Sequence, residues 1–119
     1  MAANTFTVSH GAIRLRVRLL PTIKDVHKAF RKGRSCRLSA GSIVNAYFHP
    51  TTITPAKYTG AIVLPEDGKL IELVPHEVTH AVIHALGGVL PRDDETAATS
   101  IGILCARIFK RIEQTGVAI

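Results

Sequence analysis

Alternation is clearest over residues 13 to 19, where Ile13, Leu15, Val17 and Leu19 share one side and Arg14, Arg16 and Arg18 the other. A period of two predicts a half-buried strand with a cationic outer face. Pro21 then opens a short helix in which Ile23, Val26 and Phe30 share a face, and Gly33 stops it. Residues 42–48 and 58–64 read as two further strands, the first closed by His49-Pro50 and the second by Pro65-Glu66-Asp67-Gly68. Next comes a helix that starts near residue 69 or 75, reaches Leu86 and ends at Gly87-Gly88. Pro75 fits only a first turn, so this helix either begins near Val74 or kinks at the proline. The last helix has Asp93 or Asp94 as its cap, carries Ala97, Ile101, Leu104, Ile108 and Ile112 at helical spacing, and ends at Gly116. The order strand, helix, strand, strand, helix, helix predicts an α+β domain, with a small mixed or antiparallel sheet packed on helices.

Composition narrows the class. At 119 residues, without repeats or low-complexity tracts, the chain reads as a single domain, residues 1–119. Hydrophobic residues make up 46% and charged residues 20%, a globular balance that argues against disorder. No apolar run approaches the roughly 20 residues of a membrane span, and residues 1–20 lack the pattern of a signal peptide. Cys36 and Cys105 form no CxxC pair and read as reduced thiols, which places the protein in the cytoplasm. Charge is uneven: residues 1–60 carry ten Lys/Arg against one acid, and residues 61–119 carry five against eight. A basic half of this kind is either a solvated face or a surface for nucleic acid or an acidic partner.

The chemistry lies in His76-Glu77-Val78-Thr79-His80. Residues four apart on a helix stack on one face about 6 Å apart, close enough for two imidazoles to grip one zinc ion. Glu77 follows the first histidine, beside the metal but outside its inner shell, where it can take a proton from a water that the metal acidifies. With six histidines and five glutamates in the chain, chance yields this pattern about once in a hundred such sequences, and here it falls where periodicity already predicts a helix. His84 cannot share the ion, because it lies about 12 Å from His76 along the axis. Metzincins need Gly three residues and His six residues past the second histidine, and Ile83 and Leu86 stand there instead.

A catalytic zinc site needs a third protein ligand and one open position. The acidic cluster Asp93-Asp94-Glu95 is the source within reach in sequence, although carboxylates at a helix start are also favoured by the dipole alone. A helical wheel puts Asp94 nearest the apolar arc. Glu95 shares its side with Ala98, Gly102 and Cys105, small residues that would let two helices approach closely. Glu95 is the favoured ligand and Asp94 the second.

The string VPHEVTHAVIHALG, followed after a short loop by DDETAATSIGILCARI, resembles the small gluzincin-like metallopeptidases. These include the ImmA/IrrE type and compact zincins encoded by bacteriophages. The resemblance covers roughly residues 60–112. It implies a minimal zincin-like fold, with His76, His80 and Glu95 as Zn2+ ligands and Glu77 as general base. It also implies that residues 59–64 form an edge strand pairing with an extended peptide. The ImmA/IrrE type carries Glu-Ala-Asn where this chain has Glu95-Thr96-Ala97. Tyr47, His49 and Tyr58 are the residues whose chemistry suits oxyanion stabilisation. The expected activity is zinc-dependent peptide hydrolysis in the cytoplasm, the host's for a phage protein, on a protein or peptide substrate. The alternative is a non-catalytic regulatory protein on the same fold, binding nucleic acid or an acidic partner through Arg14, Arg16, Arg18, Lys28, Arg31, Lys32, Arg34 and Arg37.

Overall fold

A computed structural model describes residues 4–33, 45–51, 57–88 and 94–119. Its elements, in chain order, are β1 (Asn4–His10), β2 (Ile13–Leu20), α1 (Ile23–Gly33), β3 (Tyr47–Pro50), β4 (Gly60–Pro65), α2 (Leu70–Ala85) and α3 (Glu95–Gln114). The fold is α+β, as the pattern predicts, with one strand more than expected. β1 alternates only weakly, with Phe6 and Val8 its sole buried side chains.

The sheet order is β1-β2-β4-β3. β2 pairs antiparallel with β1 and parallel with β4, whereas β3 pairs antiparallel with β4, so the sheet is mixed. Residues 59–64 were expected at an edge, but β4 lies inside, between β2 and β3. Its near-continuous burial is that of an interior strand. β3 is the edge on that side. It begins at Tyr47 rather than near residue 42, and it includes the His49-Pro50 pair expected to close it; residues 42–44 lie outside the described residues.

The arginine-free side of β2 faces the main core. There Leu15, Val17 and Leu19 join Ile62 and Leu64 of β4 beneath Val74, Val78 and Val82 of α2 and Leu104, Ile108 and Ile112 of α3. On the other side α1 covers one end of the sheet, through Val26 against Leu20 and Val63. The first residue of α1 is Ile23, and Pro21 stands before the cap rather than inside the helix. Thr22 and Asp25 cap it reciprocally: the Thr22 N–H and hydroxyl donate to the Asp25 carboxylate, and the Asp25 N–H donates to Thr22 Oγ1. The Ile23 N–H also donates to Asp67 Oδ1 at 2.9 Å, tying α1 to the turn before α2.

α2 runs through Pro75 rather than starting at it. The proline removes one helical bond, to the carbonyl of Ile71. Ile71 is 66% exposed, where solvent can replace that bond. Asp94 occupies the N-cap position of α3 but makes no side-chain cap bond, and Asp93 lies outside the described residues. Among the described residues, no helix is long and apolar enough to cross a membrane.

Candidate metal centre

One helical turn separates His76 from His80, and both rings project from the exposed side of α2. They converge: the two Nε2 atoms are 3.2 Å apart, with ring centroids at 4.8 Å and planes at 77°. Glu77 is turned by one residue, about 100° around the axis, and points inward. It is 4% exposed, one of two buried polar residues among those described. The ligand atoms of His76, Glu77 and His80 all lie within 4.8 Å of one another. Burial raises the proton affinity of the Glu77 carboxyl. The charges of His76 and His80 and a hydrogen bond from the Phe48 backbone N–H oppose the rise.

Strand β3 forms the opposite wall. The site opens into a cavity of about 690 Å³ between α2 and the β3 edge, lined by Ala46, Tyr47, Phe48 and Pro50 on that side. Phe48 is the hinge of this arrangement. Its amide holds Glu77, and its ring lies 5.7 Å from that of His84. Gly60 makes room for it: a Cβ there would stand 2.5 Å from both the His49 carbonyl oxygen and Phe48 Cε1.

The expected site residues are brought together only in part. His76, Glu77 and His80 form the cluster; Glu95 and Asp94, both exposed at the start of α3, stand outside it. Nor is the small-residue side of α3 a close helix approach. Ala98 and Gly102 are exposed, and a Cβ on Gly102 would meet nothing within 4 Å. Of the three oxyanion candidates, Tyr47 alone lines the cavity. Tyr58 lies under the Arg14 guanidinium, 4.9 Å from ring centre to Cζ, and His49 faces a groove on the far side of the sheet. Glu72, one turn before His76, also lines the cavity and did not emerge from the sequence. Its signal was available, since Glu72, His76, His80 and His84 repeat every four residues. Like His84, Glu72 lies about 12 Å from the farther of the two clustered histidines, so it cannot share an ion with both.

The donor set suits a borderline-soft divalent ion. Tetrahedral zinc with bonds of 2.0–2.1 Å holds two nitrogens about 3.3 to 3.4 Å apart, close to the 3.2 Å found. Searches of protein-family models, curated proteins and solved structures return no match to this chain.

Proposed function

We propose that the protein is a zinc-dependent metallopeptidase, with His76 and His80 as metal ligands and Glu77 as general base. The observation that carries this reading is the 3.2 Å convergence of the two imidazole nitrogens beside a buried carboxylate. Support also comes from the resemblance of residues 60–112 to the small gluzincin-like peptidases of the ImmA/IrrE and phage-encoded kinds. That resemblance alone supplies Glu95 as third ligand, with Asp94 its alternative; both stand outside the cluster of His76, Glu77 and His80. A bound zinc ion would acidify a water and polarise a carbonyl.

The remaining work falls to this chain. Glu77 accepts the proton of the attacking water and returns it to the leaving amine. Desolvation suits it to both roles, because a raised proton affinity brings a carboxyl nearer to working pH. The Phe48 N–H donates to the carboxylate. The cavity beside β3 receives the protein or peptide substrate. The free thiol at Cys105 agrees with the cytoplasm as working compartment, the host's if the protein is phage-encoded.

Elemental analysis of wild type, His80→Ala, Glu95→Ala and Asp94→Ala tests the ligand set. We expect one zinc per chain in wild type, lost in His80→Ala and in Glu95→Ala, and kept in Asp94→Ala. Equal metal in wild type and His80→Ala would refute the site. Undiminished peptide cleavage by Glu77→Gln would refute the assigned base.

A further inference from the structure

We infer that the outer face of the sheet, beside α1, binds the sugar–phosphate backbone of a single-stranded nucleic acid, on the side of the sheet opposite the metal centre. A groove of about 1050 Å³ runs there between α1 and the strands. Of the described basic residues only some line it, and Arg34 and Arg37 lie outside the described residues. Arg16 and Arg18 rise from β2, and Lys28 and Lys32 face them from α1, one helical turn and about 6 Å apart. Arg14 instead covers the Tyr58 ring.

Among the described residues Asp25 is the one acid in the groove, and its carboxylate already accepts the Thr22 N–H and hydroxyl. Four cations against one engaged carboxylate make a strongly positive channel, which low-dielectric walls reinforce.

Strand register decides between a nucleic acid and an acidic peptide. Arg16 is paired with Ala61, and Ala61 with His49; Arg18 is paired with Val63, and Val63 with Tyr47. The first row runs cation, aliphatic floor, ring, across three strands that span about 9.6 Å, and it is open; the second is roofed by α1, where Val26 packs on Val63 and Phe30 on the Tyr47 ring. A nucleotide can bridge the open row, with its phosphate at the arginine and its base over the ring. An acidic peptide would use the cations and leave the exposed His49 ring idle. Guanidinium forks suit phosphate, and ring faces accept any base, so binding is expected to be tolerant of sequence.

The test is fluorescence anisotropy with a labelled mixed-sequence oligonucleotide of about 12 residues, as DNA and as RNA, over a salt series. Four phosphate contacts predict log K falling against log salt with a slope of about −3. The double variant Arg16→Gln/Lys28→Gln should flatten the slope by about 1.4 and weaken binding. Arg31→Gln, exposed on α1 but outside the groove, should change neither. Unchanged circular dichroism would confirm that the variants fold. The inference is overturned by absence of binding at low salt, by equal loss in Arg31→Gln, by tighter binding of duplex than of single strand, or by equal binding of polyglutamate.

Discussion

Gly60→Ala perturbs the contact through which the sheet positions the metal centre. The added methyl would lie 2.5 Å from the His49 carbonyl oxygen, 2.5 Å from Phe48 Cε1 and 2.8 Å from Phe48 Cζ. Two of those atoms belong to a ring that can turn. The third is backbone on the paired strand, opposite Gly60 through Pro50, so β3 itself must move outward. Overpacking of this kind costs about 1–3 kcal/mol, which in a domain of this size lowers the melting temperature by roughly 5 to 15 °C. Because the Phe48 N–H donates to the Glu77 carboxylate, the displacement should also disturb the zinc binding and turnover proposed above. Thermal melts of Gly60→Ala, Phe48→Leu and the double variant would separate the two clashes. Relief of the ring clash gives a favourable coupling on the order of 1 kcal/mol, while the backbone clash persists in both variants carrying alanine. A Gly60→Ala protein that melts with wild type would refute the argument, since nothing then depends on the close approach of β3 to β4.

Two further perturbations test the buried ionisable groups. Burial raises the Glu77 carboxyl above its ordinary value, so the folded state favours the protonated form and loses stability as pH climbs from the ordinary carboxyl value through the raised one. In metal-free protein, Glu77→Gln keeps an acceptor for the Phe48 N–H and removes the charge. It should match wild type in acid and exceed it at neutral pH in urea unfolding; a deficit at neutral pH would contradict the assigned cause. Burial likewise pushes the Cys105 thiol up, which leaves little thiolate at neutral pH. Alkylation of Cys105, followed by peptide mapping to separate it from Cys36, should be slow in the native protein and fast in urea. Equal rates in the two states would count against the half-buried placement.

Legibility followed the range of the interactions. β2 is written in its own residues, because arginines mark the outward positions 14, 16 and 18 and aliphatics the inward ones, with Leu20 turning to α1 at its end. α3 is equally plain: of the residues its spacing puts on one face, Ala97, Leu104, Ile108 and Ile112 are buried and Ile101 is half-buried. β1 is not, since two buried apolar residues among polar ones make a weak alternation, and the strand depends on β2 for its hydrogen bonds. The paired histidines and their glutamate were readable because one helical turn fixes their geometry without help from the rest of the chain.

What surrounds them was not readable, for a physical reason. Residues 59–64 gave no local sign of which strands would flank them, yet the flanking strand β3 supplies the amide that holds Glu77 and one wall of the cavity. The same four residues of β3 set Phe48 and Pro50 beside the candidate metal centre and His49 in the basic groove, with Tyr47 lining both. A short edge strand with alternating side chains therefore stands between two chemically different surfaces. Its importance comes from pairing across the sheet, and no pattern within Tyr47–Pro50 announces it. Gly60 illustrates the point: in sequence it is an ordinary strand glycine, and only the approach of Phe48 and His49 makes its missing side chain a requirement.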